Sequence, residues 1–152
     1  MPVGRPVYLV SVAVEDEPGM LAQVARALAD GNINVDAFAA DPAGIHLVTR
    51  EMKPMKAAIE GLGFQTSVEE VHEIVLEDRP GALANICEAL AAAGINIQSA
   101  FGMAAGFAGR IFVNVSDMPR AAPILEAASR RPVGPGANLK GAPPATAKGR
   151  RA

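Results

Sequence analysis

The sequence contains few aromatic side chains and a single cysteine. Aromatic residues make up 4% of its 152 residues, tryptophan is absent, and Cys87 is the one cysteine. One cysteine excludes a disulfide within the chain, and the core must be built from alanine, valine, isoleucine and leucine, with methionine as filler. Apolar runs are short: the run at 7–14 is shorter than a membrane span and has no cleavage site after it. We therefore expect a cytoplasmic protein with no membrane partner.

Charge is distributed unevenly along the chain. The net charge is −2, but the six charged residues of 129–152 are all basic, so the remaining basic and acidic residues give 1–128 a net charge of −8. Because 129–152 is also rich in proline and glycine, we expect it to be a disordered, solubilising tail, or one that weakly contacts an anionic partner. The acidic body argues against nucleic acid as the main ligand.

One stretch of the sequence occurs twice. Residues 77–97 repeat residues 15–35, with eleven of twenty-one positions identical. Such a repeat indicates a tandem duplication into two units of about 60–65 residues, each with a core of only on the order of 3–5 kcal/mol. We therefore predict that the units lie side by side in one continuous sheet or a closely packed pair.

Hydrophobic periodicity predicts the same order of elements in both units. In the first unit, strands are predicted at 8–14, 33–40, 45–50 and 64–68, and helices at 18–30 and 54–61. In the second, strands are predicted at 71–77, 95–103 and 110–116, and helices at 80–93 and 117–129, while the fourth strand is weak or missing. The fold class is α+β: two βαββαβ ferredoxin-like units, at 1–70 and 71–128, with antiparallel sheets and helices on one face.

The repeated turn resembles that of the ACT domain. Asp-Arg-Pro-Gly-Ala-Leu at 78–83 with Gly-Ile-Asn-Ile at 94–97 fits the family pattern closely, and the first copy fits nearly as well. The resemblance covers 7–70 and 71–128, and implies βαββαβ modules that bind amino acids and regulate metabolic enzymes. The whole arrangement resembles stand-alone tandem ACT proteins and, less closely, acetolactate synthase small subunits. Its implied partners are an amino acid, a second ACT module within the chain or in a homodimer, and a metabolic enzyme.

Each repeated turn has the chemistry that an amino acid needs. A helix N-terminus offers N–H groups to a carboxylate, glycine lets a ligand approach the backbone, and an aspartate or the carbonyl oxygen of the later asparagine can accept from an ammonium. The candidate ligand-binding residues are Asp78, Gly81, Ala82, Leu83, Asn96 and Gln98 in the second unit, and Asp16, Gly19, Met20, Leu21 and Asn34 in the first. We expect the second site to be the better one, because Ala82 leaves more room than Met20 and Asp36 adds negative charge to the first.

Several of these residues also fit structural roles. Asp16 and Asp78 are typical helix N-caps, which is compatible with binding. Leu21 and Leu83 fall on the apolar stripes of their helices, so we expect them in the core. The asparagines also fit a solvated strand face.

The sequence shows no catalytic or metal-binding constellation. His46 and His72 have no partner at ligand spacing, and Cys87 fits a packed core thiol. We therefore expect no enzyme activity, no metal and no cofactor. An acylphosphatase-like enzyme would need an arginine in the first turn beside a partner asparagine, but Arg79 is the one arginine in the two turns and its counterpart is Glu17. The competing reading is a structural assembly module with vestigial turn sites.

Overall fold

The protein is described here by a computed structural model covering residues 6–105 and 108–131. Its elements, in chain order, are β1 (Val7–Ala13), α1 (Met20–Asp30), β2 (Ala37–Asp41), β3 (Gly44–Thr49), α2 (Met52–Glu60), β4 (Gln65–Glu77), α3 (Ala82–Ala92), β5 (Ile97–Ala105), β6 (Ala108–Val115) and α4 (Met118–Ser129). The predicted order is confirmed through α4. The predicted tail lies outside the described residues from 132 onwards, and so does any fourth strand of the second unit.

All six strands form one antiparallel sheet in the order β2-β3-β1-β4-β6-β5. The central strand β4 pairs with β1 through its first half, up to Val71, and with β6 through its second half, from His72. The predicted side-by-side arrangement in one continuous sheet is therefore confirmed. The predicted strands 64–68 and 71–77 are one strand, because no glycine or proline interrupts Gln65–Glu77.

All four helices lie on the same face of the sheet, as predicted. Val68 on β4 packs against the core of the first unit, while Ile74 and Leu76 on the same strand belong to the core of the second. Alternate side chains of a strand point to opposite faces, so these three even-numbered residues point to one face. Each unit thus has its own helix–sheet core, and β4 contributes to both.

The opposite face of the sheet carries a third apolar cluster that joins the units. Its fully or nearly fully buried members are Val7, Leu9, Val48, Val71 and Phe112. Beside this cluster, the Glu73 carboxylate is only 12% exposed and accepts from Arg50 of the first unit, at 2.7 Å, and from Arg110 of the second. The Arg110 guanidinium lies 5.7 Å from the centre of the Phe112 ring. This ion network therefore links the two units through β4.

Candidate functional site

The repeated Pro-Gly forms a tight turn with the same backbone geometry in both units. Gly81 has φ 91° and ψ −13°, and the amide of Ala82 donates to the carbonyl of Arg79 at 3.2 Å. Gly19 has φ 91° and ψ −7°. These angles define a type II turn, which requires positive φ at its third residue and favours proline before it. Glycine is therefore required by the backbone, and a Cβ at Gly19 would meet nothing within 4 Å.

The prediction that Asp16 and Asp78 cap their helices is wrong. Helices α1 and α3 begin after Gly19 and Gly81, which occupy the cap positions, and no side chain accepts a capping hydrogen bond at either end. The type II turn places the helix starts at Met20 and Ala82, two residues after the predicted starts at 18 and 80. Both aspartates are exposed, so their carboxylates can accept from a ligand.

The first turn of α3 contains backbone amides that no helix carbonyl can satisfy. The amide of Asn85 donates to the carbonyl of Gly81 at 3.0 Å, the first bond of the helix. The amides of Leu83 and Ala84 have no acceptor among the described residues. Unpaired amides at a helix N-terminus attract anions, and a carboxylate is the anion that an amino acid offers.

A cavity of about 350 Å³ opens beside the start of α3, next to Ala82 and Leu83. Its lining consists of Leu76, Glu77, Asp78, Arg79, Ala82, Leu83, Ala100, Phe101, Gly102, Gly109 and Ile111. The space exists because the sheet residues below α3 include Ala100, Gly102 and Gly109, which have small or no side chains. Sequence reasoning missed these three, although their small size was the available signal. Of the predicted site residues, Asp78, Ala82 and Leu83 line the cavity, and Gly81 lies within the turn between them.

Asn96 and Gln98 are not among the lining residues. Helix α3 carries the chain to the other end of the sheet, so Asn96 lies four strand residues before Ala100, about 13 Å away. The amide of Asn96 donates to the Ser116 hydroxyl at 3.0 Å, and its carbonyl accepts from the Ser116 amide at 2.9 Å. The carbonyl predicted to accept from a ligand ammonium is thus bonded within the second unit.

The corresponding residues of the first unit are also held by local contacts. The Asn34 side chain donates to Asp36 at 3.1 Å, and the Asn34 carbonyl accepts from the Thr49 hydroxyl at 3.4 Å. Asp36, expected to repel a ligand carboxylate, lies 3.7 Å from the Arg50 guanidinium and is only 18% exposed on its side chain. The Arg50 charge therefore offsets the repulsion on which the preference for the second site partly rested.

The two repeated turns lie at opposite ends of the sheet. The first follows Ala13, which pairs with Gln65 at the start of β4, and the second follows Glu77 at its end. The thirteen residues of β4 span about 40 Å at about 3.3 Å per residue. A ligand at one turn therefore cannot contact the other turn of the same chain.

Leu21 and Leu83 are exposed, which contradicts their predicted core role. They are 40% and 56% exposed, whereas the buried stripe of α1 consists of Val24 and Leu28. Each of the two helices begins beyond the end of the strand before it, so a leucine in its first turn lies past the edge of the sheet and stays in contact with solvent. Leu83 forms part of the rim of the cavity.

The polar end of the cavity has mixed charge. The Arg79 guanidinium lies 2.9 Å from the Glu77 carboxylate, and both side chains are more than half exposed. A neighbouring cavity of about 220 Å³ shares Glu77, Arg79 and Ala82, and is lined on its far side by Asn85 and by 128–131 at the end of α4. The sequence did not predict this cavity, because it depends on the packing of α4 against α3.

Metal-ligating side chains do not cluster in the part of the chain that the structure describes. In the same residues, no helix combines the length and the apolar character needed to cross a membrane.

Comparison with known proteins identifies the class to which this architecture belongs. The family model of the ACT domain matches residues 8–53 and 73–127, which cover both units. The chain therefore belongs to the ACT-domain family and contains two copies of the domain. No curated protein matches the chain.

Several solved structures share this fold. A protein from Bacteroides thetaiotaomicron is similar with a TM-score of 0.71 at 24% identity, over 80% of this chain and 88% of that one. The regulatory subunit of aspartate kinase from Thermus flavus has a TM-score of 0.62 at 17% identity, over 82% and 90%. Escherichia coli aspartokinase III, in complex with aspartate and ADP, has a TM-score of 0.60 at 18% identity, over 82% of this chain and 32% of that one. At these identities the likeness shows the fold.

Proposed function

We propose that this chain is a non-catalytic regulatory protein that binds an amino acid at the repeated turn of its second unit. The observation that carries the proposal is the cavity of about 350 Å³ beside that turn. Its volume lies near the lower end of the range of about 300–1,000 Å³ for small-molecule sites, so it suits a small ligand.

The two ends of an amino acid match the two kinds of polar group at this turn. The ligand carboxylate would accept from the amides of Leu83 and Ala84, where the positive end of the α3 dipole adds to the attraction. The ligand ammonium would donate to the carboxylates of Asp78 and Glu77. The ligand side chain would then extend over the sheet towards Ala100.

We propose that a second copy of the chain supplies the asparagine that the lining of the cavity does not contain. Asn96 lies just before the edge strand β5, Gln98 lies on it, and both are exposed. Neither residue can reach the turn of its own unit. In a homodimer paired along β5, these residues of one protomer would approach the cavity of the other. We therefore keep both as candidate ligand contacts supplied by a partner protomer.

The regulated partner is proposed to be a metabolic enzyme on which this protein acts in trans. The likeness to a separate regulatory subunit of aspartate kinase supports this arrangement. A subunit of the acetolactate synthase small-subunit type is an alternative of the same kind. A purely structural assembly module is the alternative of a different class, and the exposed Leu83 is compatible with it.

A thermal-shift screen of the full chain against the twenty amino acids tests the proposal. A ligand that binds only the folded state raises its stability by about 2.7 kcal/mol at one hundred times Kd. We expect at least one amino acid to raise the melting temperature in a concentration-dependent way. If none does, in an assay whose baseline transition is cooperative, the assembly module is the better account.

A further inference from the structure

We propose that the ligand of the second-unit cavity is an amino acid with an uncharged, aliphatic side chain, an inference that rests on the proposed function. The polar lining residues are confined to one end of the cavity, at Glu77, Asp78 and Arg79. The remaining wall is apolar and consists of aliphatic side chains and glycines, while the Phe101 ring stacks on Phe112 on the opposite face of the sheet. A zwitterion held at the polar end therefore directs its side chain against an apolar surface.

The charges at the polar end disfavour an acidic side chain. Arg79 is the one cation among the described lining residues, and it is already paired with Glu77 at 2.9 Å. Arg130 and Arg131 line the neighbouring cavity on the α4 side rather than this one, and Arg130 is paired with Glu126 at 2.7 Å. An aspartate side chain in the apolar part would therefore be desolvated without a counter-ion.

A basic side chain is disfavoured for a related reason. The two carboxylates of the cavity lie at the end that the ligand ammonium occupies, so a lysine ammonium on the other side of the ligand would find no acceptor of opposite charge in the described lining. An aliphatic side chain needs no partner of opposite charge, and its burial removes apolar surface from water.

The space for this side chain comes from a small residue that the first unit does not have. Ala100 on β5 is paired with Val113, and the corresponding Phe38 on β2 is paired with Leu47. Both Val113 and Leu47 belong to helix–sheet cores, so Ala100 and Phe38 occupy equivalent places on the helix side of the sheet. A phenylalanine at 100 would therefore fill the part of the cavity assigned to the ligand side chain.

Calorimetric titration of the full chain with leucine, asparagine and aspartate tests the class of ligand. These three amino acids are similar in shape and differ in the polarity and charge of the side chain. We expect leucine to bind at least about tenfold more tightly than the other two, as burial of its side chain implies. Equal or tighter binding of aspartate or asparagine in this titration, or a thermal shift with lysine alone in the screen, would overturn this inference and leave the proposed function standing. If none of the twenty amino acids binds, the proposed function fails and this inference fails with it.

Substitutions at Ala100 locate the side chain of the ligand. Ala100→Phe should weaken leucine binding by at least about tenfold, while the matched change Phe38→Ala in the first unit should leave it unchanged. Ala100→Val is a milder change at an exposed position and should weaken the binding of leucine more than that of alanine. Equal losses for leucine and alanine, or unchanged leucine binding in Ala100→Phe, would contradict the assignment of this wall to the ligand side chain.

Discussion

At the scale of single residues, the repeated glycine is fixed by the turn before any ligand is considered. Gly19 and Gly81 both have φ 91°, a conformation that side chains of L-residues rarely adopt. The sequence analysis therefore singled out the correct glycines, but its reason, the close approach of a ligand, was incomplete. A glycine in this pattern indicates backbone geometry first, and close approach of a ligand only in addition.

The two glycines provide a matched pair of substitutions. Gly19→Ala and Gly81→Ala should each lower the free energy of unfolding by about 1–2 kcal/mol, because alanine is strained at positive φ. Only Gly81→Ala should also weaken amino-acid binding, since only that turn lies beside the proposed site. Urea unfolding and calorimetric titration of both variants measure the two effects. Loss of binding in Gly19→Ala would place the site in the first unit.

His72 makes stability depend on pH. It is 9% exposed on β4, and its Nδ1 atom has no hydrogen-bond partner among the described residues. Burial lowers the pKa of His72 below 6.5, while the nearby Glu70 carboxylate opposes this in part. The unfolded chain then binds the proton more readily than the folded one, so stability present above pH 6.5 is lost as the pH falls below that value.

Replacing His72 isolates this contribution. Urea unfolding of the wild type should show lower stability at pH 5.5 than at pH 7.5, and His72→Gln should reduce the difference. Because glutamine does not titrate, any pH dependence left in the variant belongs to other groups. An unchanged difference would show that His72 is not responsible.

At the scale of elements, the helix and strand pattern was predictable and the ends of the elements were not. The periodicity of Val24 and Leu28 identified α1, since buried residues recur on one face of a helix. The first-turn Leu21 fitted the same stripe but overhangs the sheet. Its exposure depends on where the helix begins relative to the strand, which periodicity does not report.

Helix capping distinguishes α4 from the helices of the repeated turns. The Asp117 carboxylate accepts from the Arg120 amide at 3.1 Å and caps α4, whereas Asp78 makes no such bond at α3. Asp117→Ala should therefore lower the free energy of unfolding by about 1 kcal/mol. Asp78→Ala should change it by less than about 0.5 kcal/mol but weaken amino-acid binding.

Chemical unfolding should show the larger loss of stability in Asp117→Ala, and ligand titration should show the larger loss of binding in Asp78→Ala. A large loss of stability in Asp78→Ala, without any loss of binding, would restore the capping interpretation. A loss of binding in Asp117→Ala would show that the ligand depends on α4 rather than on the turn.

At the scale of the whole molecule, the units are joined more closely than a duplicated sequence indicates. The predicted boundary between 70 and 71 lies inside β4, at the point where pairing passes from β1 to β6. Two strands were predicted there because the sequence was divided by its repeat. A sequence repeat shows which residues of the two units correspond. It does not show that the last strand of one unit and the first strand of the next are a single shared strand.

Cutting the chain at this boundary should prevent both halves from folding well. Fragments 1–70 and 71–128 would expose the apolar cluster that includes Val71 and Phe112, and would separate Glu73 from Arg50. We expect one cooperative thermal transition for the full chain and poorly folded fragments, as judged by circular dichroism. Two fragments with independent cooperative transitions would contradict the shared core.

The central claim is that an amino acid binds beside the second repeated turn, and chemical-shift mapping of the full chain tests it most directly. On titration with the amino acid found by the screen, we predict that the largest amide shifts occur at 77–84, 100–102 and 109–111. The corresponding residues of the first unit, 15–22 and 38–45, provide an internal control and should shift little. Largest shifts at 15–22, or a ligand that shifts neither set of residues, would contradict the account.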